Sequence, residues 1–340
     1  MRKIALAVIC TCLVISFTLQ AKILADLPEL MNPQRMVVDG NQLFIVEGTS
    51  IYIYLLKDYK LIKKFGKPGE GPGEFKINPL GGPGLVPIAL SQQLLVNSYG
   101  KLSYFTRDGK YIKEQKTPPF TVLRPIKDNF VGTGYVIDLK KQELKLCISL
   151  FDSKLNKIKQ MFQSDVTINV QAVKNLPFDA FTYKVHKDKI FIPDSKDGFI
   201  IRVFDSYGKE IYCIKKDYTP LKVDDAYKKR ILDWYKNESL LKNYWEQVKN
   251  TIKFKNDFPP IKDITVDCDK IYVFTYKKQN DLSECIILDL QGNEQKRLFL
   301  PFPPVYPLTP ICYALQNDRF YTLVEDEDGE SWKLDVEEIK

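Results

Sequence analysis

The sequence predicts an all-β fold, a ring of six four-stranded antiparallel sheets. Three observations predict it. Phe199–Ile214 (FIIRVFDSYGKEIYCI) is two runs of apolar and β-branched residues joined by the turn cluster Asp205-Ser206-Tyr207-Gly208, a hairpin signature. Variants of that hairpin recur in pairs, and two hairpins in succession make a four-stranded meander. Six such meanders follow one another at periods of about 35–80 residues, which points to radial repetition, a β-propeller, rather than a sandwich.

The chain opens on Met1–Ala25, which reads as a secretory signal. Arg2 and Lys3 precede the apolar run Ile4–Phe17, and Thr18-Leu19-Gln20-Ala21 or Ile23-Leu24-Ala25 offers a cleavage site. The apolar run is shorter than the roughly 20 residues that cross a bilayer. The expectation is an exported protein, periplasmic or extracellular, with no integral membrane span after signal removal.

Residues 26–340 read as one domain. The first meander covers Met36–Phe65, turning at Asp39-Gly40-Asn41 and Lys57-Asp58-Tyr59. The second runs Leu85–Gln115 and the third Thr121–Phe162. The fourth is Phe181–Ile214, the fifth Ile261–Leu300, and the sixth begins at Ile311 and ends with Trp332–Ile339. The sixth copy runs out of chain before its fourth strand. Lys22–Leu30 is expected to supply that strand, closing the ring and covering an otherwise open edge.

Phe65–Phe75 (FGKPGEGPGEF) closely resembles the Gly-rich connector of NHL-type repeats and of secreted bacterial six-bladed β-propellers. NHL arrays repeat the connector and this chain has it once, so the resemblance is to the divergent bacterial group, which is mostly without assigned activity. It implies the fold and little about function. A phosphate-loop reading of Gly66–Gly73 fails: no Gly-Lys-Ser/Thr follows, and Pro68, Pro72 and Pro79 remove backbone donors.

In such a meander the first-to-second and third-to-fourth turns share one face of the ring. The other face carries the second-to-third loops and the blade connectors. The long excursions, Gly66–Gly84, Gly134–Glu143, Gln163–Ala180, Thr219–Pro260 and Pro301–Pro310, all belong to that connector face, which is expected to bear the function. The largest, at about residues 221–256, reads as two helices. Asp224 caps the first, with Tyr227, Ile231 and Trp234 on one side; Ser239 caps the second, with Leu241, Tyr244, Trp245, Val248 and Ile252 as its stripe. The pair either covers part of the central opening or docks a partner protein through Trp234, Tyr235 and Trp245.

The chemistry is sparse. His186 is the one histidine, placed before a tight turn, so multi-histidine zinc and Ser-His-Asp constellations are not expected. Without the signal, Cys147, Cys213, Cys268, Cys285 and Cys312 remain, an odd set with no C-x-x-C; Cys147, Cys213 and Cys285 read as buried small hydrophobes. The formal charge of +7 falls to +4 without Arg2, Lys3 and Lys22, and it is scattered, so no nucleic-acid surface is expected.

Arg35, Arg124, Tyr183 and Tyr313 fall on innermost strands and are candidates for an anionic or carbohydrate-like ligand. Glu47, Asn97, Asp194 and Asp263 lie near connector-face strand ends. A metal-assisted hydrolase or lactonase, the alternative to a binding module, would place such residues around an axial metal. No cofactor is required by the sequence; Asp326, Asp328 and Glu330 offer a calcium reading that matches no complete calcium loop.

Overall fold

The structure, a computed structural model, describes residues 22–76, 84–118, 121–138, 143–167, 174–238, 242–307, 309, 311–326, 328–329 and 331–339. Its strands form six four-stranded sheets and one parallel pair. Blade 1 comprises Arg35–Asp39, Gln42–Glu47, Ser50–Leu55 and Leu61–Phe65. Blade 2 comprises Val86–Ala89, Gln93–Ser98, Lys101–Thr106 and Tyr111–Lys116, and blade 3 Leu123–Ile126, Asn129–Asp138, Glu143–Phe151 and Lys157–Thr167. Blade 4 holds Lys184–His186, Lys189–Asp194, Phe199–Asp205 and Glu210–Lys216. Blade 5 holds Asp263–Asp267, Lys270–Gln279, Leu282–Asp289 and Glu294–Leu300. Blade 6 has Tyr313–Gln316, Arg319–Glu325 and Trp332–Glu338, and takes its outer strand, Lys22–Leu27, from the other end of the chain.

The closing strand runs antiparallel to Trp332–Glu338, with Leu27 opposite Trp332 and Ala25 opposite Leu334. Leu27 and Leu30 are buried in a cluster that spans blade 6 and blade 1 through Tyr321, Leu334, Met36 and Tyr54. First and last blades are thus joined by hydrogen bonds and by shared core. The innermost strands neighbour one another around the axis, Arg35–Asp39 standing beside both Val86–Ala89 and Tyr313–Gln316.

Burial follows the sequence pattern. Gln42–Glu47 and Ser50–Leu55 carry continuous apolar runs and are buried on both faces, because each middle strand is sandwiched between neighbouring blades. The outer strand Leu61–Phe65 alternates with exposed residues, as a half-solvated strand does. First-to-second turns are two residues long where Lys127, Lys187, Cys268-Asp269 and Asn317-Asp318 take positive φ, the mirror-image turns that match strand twist. Third-to-fourth turns reuse one device. The Oδ1 of Asp205 accepts from the N–H of Tyr207 and Lys209, both at 2.9 Å, and Asp152 and Asp289 repeat it with the second and fourth residues after themselves.

Some expectations are corrected. Gly134–Glu143 is not an excursion: the second strand of blade 3 continues to Asp138 and the third starts at Glu143, a ladder extended outward. The second helix of the insertion shrinks to Trp245–Val248, and Ser239 and Leu241 fall outside the described residues. Its remaining stripe residue, Ile252, instead begins a strand that pairs in parallel with Lys174–Leu176, a ladder that competes successfully with continued helix. Cys213 is exposed, because it sits on the outermost strand of blade 4; Cys147 and Cys285 are buried, and all five thiols are free. His186 is not merely solvated but pairs its Nε2 with Asp269 Oδ1 at 2.8 Å, linking the turns of blades 4 and 5. Met1–Ala21 of the expected signal lies outside the described residues, as do Pro79, Glu330 and part of each long connector. No helix among the described residues is long and apolar enough to cross a membrane.

Glu337 in blade 6 supplies a pH prediction. Burial and nearby Asp335 push its carboxyl up to about 7. Below the unfolded value both states hold the proton and nothing is lost. As pH rises toward 7 the unfolded chain ionises first, so stability falls, and above 7 the penalty is complete. Glu337→Gln is expected to raise the melting temperature at pH 8 and leave it unchanged at pH 4, the screened gain being roughly 1 kcal/mol. Equal effects at both pH values would contradict this.

Candidate functional site

Along a strand successive side chains face opposite sides, so on an innermost strand every second residue looks into the axial lumen. Counting back from each first-to-second turn, Arg124 and Lys184 stand three residues before it, and Arg35 and Asp263 five. All four therefore share the lumen-facing parity. Tyr183 and Tyr313 stand four residues back and point between blades. The buried Tyr183 places its hydroxyl 2.8 Å from Val122 O and 3.0 Å from Val131 O, donating to that pair of carbonyls in blade 3. Tyr313 packs against Phe274, Phe302 and Phe320 and donates its hydroxyl to Asp263 Oδ2 at 2.8 Å. Burial, then Asp263, hold the Tyr313 hydroxyl well above its usual range, so it stays a proton donor.

The lumen is a cavity of about 770 Å³. Its wall includes Arg35, Arg124, Lys184, Lys262 and Asp263. Desolvation, then Arg124, push the Arg35 guanidinium down to about 10. Lys184 is lowered by desolvation and by Arg124 and Arg35, while Asp263 acts the other way. These groups thus sense one another across the axis, although they come from blades 1, 3, 4 and 5. Both Arg35 and Lys184 keep part of their surface accessible, because deep in the ring that surface faces the lumen.

The insertion forms the roof. Asp224 caps the helix Asp225–Asn237 by accepting from the N–H of Tyr227 at 2.6 Å. Tyr227, Ile231 and Tyr235 are buried against Leu176, Val223, Ile252 and Phe258. Tyr227 meets Phe258 edge-on, Phe258 stacks on Tyr276 at 4.5 Å, and Trp234 stacks on Tyr306 at 6.0 Å. Tyr227, Tyr276 and Tyr306 also line the lumen, so the apolar side of the helix covers the axial opening on the connector face. Tyr235 is wholly inside this cluster, and Trp234 and Trp245 are half-buried against it. Their packing duty sets a prediction: Trp234→Ala lowers unfolding stability by about 1–2 kcal/mol, less than the loss of a fully buried tryptophan. A denaturation midpoint identical to wild type would contradict the roof packing.

Under the roof, Lys262 donates to Ser283 Oγ at 3.1 Å and lies over the Phe302 ring at 4.5 Å. Desolvation, then Lys278 and Arg230, push its ammonium down to about 7.

The remaining candidates hold the scaffold together. Glu47 Oε1 accepts from the N–H of Met31 (2.7 Å) and of Asn32, and Oε2 from Tyr52 (2.9 Å), pinning the chain that leads into blade 1. Burial alone would raise its carboxyl, but these hydrogen bonds outweigh burial and hold it below the usual range. Asn97 bridges blades 2 and 3, accepting from Leu123 N at 2.7 Å and donating to Leu123 O at 3.1 Å. Asp194 accepts from Arg202 Nε at 2.8 Å within blade 4. Of this quartet only Asp263 reaches the lumen wall, and no group of three or more acidic, histidine or cysteine side chains converges among the described residues. In the proposed calcium segment, Asp326 Oδ2 accepts from Ser331 Oγ at 2.7 Å as part of its turn. In the glycine connector two of the glycine backbone donors are occupied: Gly69 N donates to Phe75 O and Gly71 N to Glu74 Oε2.

The chain is a six-bladed β-propeller. No family model matches it, and no curated protein is similar to it. Among solved structures it resembles a luciferin-regenerating enzyme, at 13% identity over 94% of this chain and 95% of that one, TM-score 0.47. It also resembles the Pan2 WD40 domain of Neurospora crassa, at 10% identity over 89% and 88%, TM-score 0.41. Hsv2 of Kluyvelomyces marxianus is similar at 12% identity over 90% and 84%, TM-score 0.35. Likenesses this distant say nothing of activity, and the fold stands on the blade pairing described above.

Lys184 and Lys262 escaped the sequence reading. Lys184 was visible in principle, sharing the parity of Arg124 relative to its turn, whereas Lys262 becomes a lumen residue only through the roof above it.

Proposed function

We propose that this propeller is a binding module that takes a small molecule into its axial lumen beneath the roof on the connector face. One observation carries the reading: a cavity of about 770 Å³ walled by innermost-strand side chains and covered by aromatic rings. That volume lies in the range of small-molecule sites, roughly 300–1,000 Å³. The roof residues first read as partner anchors are engaged in packing, which favours a ligand below them over a protein docked upon them. Glu47, Asn97 and Asp194 hold separate parts of the scaffold, which supports binding over the metal-assisted hydrolase reading. In the same proposal the protein is exported, and signal cleavage follows Ala21, since cutting after Ala25 would remove most of the closing strand's residues.

Thr265 stands three residues before its turn on the blade 5 inner strand and lines the lumen without a charge. Thr265→Trp is expected to fill the lumen and abolish binding of whatever small molecules a mixed neutral and anionic library yields for wild type, with the circular dichroism spectrum unchanged. Ligands that bind the folded variant with wild-type affinity would overturn the lumen as the site.

A further inference from the structure

The charges of the lumen do not balance. Its wall contributes Arg35, Arg124, Lys184 and Lys262 against Asp39, Asp179 and Asp263. Asp39 is engaged by Arg107, and Asp179 by Lys255 at 2.9 Å, both cations from outside the wall. Asp263 alone is left among the four cations. Among the described residues Arg35, Arg124 and Lys184 make no side-chain hydrogen bond or salt bridge, and the Nε of Arg35 is sealed from solvent without a partner. Above them, Arg230 of the roof helix also has a buried Nε with no partner, between the rings of Tyr227 and Tyr306.

Cations gathered inside a protein repel one another and lose hydration, so they are ordinarily paired. A ring built only for stability has no need of three unpaired ones on separate blades facing one lumen. An anion seated among them answers the repulsion and supplies acceptors to guanidinium groups whose fork geometry suits carboxylate and phosphate.

We propose that the lumen is a receptor site for a small organic anion bearing two or more carboxylate or phosphate groups, held by Arg35, Arg124 and Lys184 with its apolar body against Tyr227, Tyr276 and Tyr306. This rests on the small-molecule reading of the cavity and adds its chemical class. Asp263 gives the site a polarity. Fixed by the Tyr313 hydroxyl at 2.8 Å and the Ile264 N–H at 2.9 Å, it repels an anion from blade 5 and directs the acidic groups toward blades 1, 3 and 4. The aromatic rings on the roof side match a flat or ring-shaped body rather than bare inorganic phosphate.

The test titrates citrate and, separately, benzene-1,3,5-tricarboxylate into the full chain at fixed ionic strength, reading melting temperature and calorimetric affinity. Lys184→Met and Arg124→Met are run beside wild type. Saturable binding of at least one probe is expected, with each variant weakening it by roughly tenfold or more. Each anion-free variant is expected to melt at or above the wild-type temperature, because each removes an unpaired cation; a merely structural role would lower it. No saturable binding beyond the salt control, or unchanged affinity in both variants, would overturn the proposal. Neutral library members that bind and are blocked by Thr265→Trp, with both anions silent, would overturn the anion class alone. Silence of neutral and anionic compounds alike would overturn the small-molecule reading too.

Discussion

Deleting residues 22–30 is expected to remove most of the stability of the whole ring, a far larger effect than the loss of nine residues ordinarily has. The deletion takes away the outer strand of blade 6 and leaves Trp332–Glu338 as an unpaired edge. It also removes Leu27 and Leu30, at 1% and 0% exposure, from the core that joins blade 6 to blade 1. Either leucine alone is worth about 2–5 kcal/mol when cut back to alanine. Two of them with a strand's hydrogen bonds approach the 5–15 kcal/mol that is the entire stability of an ordinary domain. Chemical denaturation of the deletion and of Leu30→Ala measures this. A graded series is expected, Leu30→Ala shifted by about 3 kcal/mol and the deletion unfolded or nearly so. A deletion that melts with wild type would mean that the ring does not close through this strand.

The second large effect lies in the glycine-rich connector. Gly66 has φ +92°, and a Cβ there would overlap the Thr49 carbonyl oxygen and come within 2.8 Å of the Phe75 ring. Neither neighbour yields easily: one is backbone, and the other is a fully buried ring beside Phe105 in the core between blades 1 and 2. Gly66→Ala combines left-handed strain with overpacking and is expected to cost about 3 kcal/mol. Gly48 is the internal control, since its φ is +57° with nothing within 4 Å of an added Cβ. Gly48→Ala is expected to cost about 1 kcal/mol, from strain alone. Equal denaturation midpoints for the two variants would contradict a packed connector.

These two results bear on what the sequence can disclose. The blades were legible because each is a local object: alternating strands, Asp-centred turns such as Asp205–Gly208, and a sixth copy with no fourth strand to be met by the unassigned segment at the other end. The helix cap at Asp224 was legible for the same reason, being a contact between neighbours in sequence. The second helix was not. Whether Ile252–Phe254 is helix or strand depends on Lys174–Leu176, nearly eighty residues earlier, and no local signal announces that pairing. Glu47, Asn97 and Asp194 were correctly placed near strand ends, yet a polar residue at a strand end reads the same whether it awaits a ligand or pins a neighbouring chain. Asn97 is decided by Leu123, a residue of the next blade. Tyr183 and Tyr313 differ from Arg124 and Arg35 by one step of the strand alternation, and that step packs their rings against a neighbouring blade while both residues still border the lumen.

The lumen inherits its character from that alternation. Six inner strands each send side chains to the axis, and three of them send a cation with no partner. The most direct measurement is an experimental structure determined with citrate present. It is expected to show six blades closed by Lys22–Leu27 and one citrate in the lumen, its carboxylates within hydrogen-bonding distance of Arg35, Arg124 and Lys184. A lumen filled by side chains or by water alone, with citrate absent or bound only on the outer surface, would contradict the account.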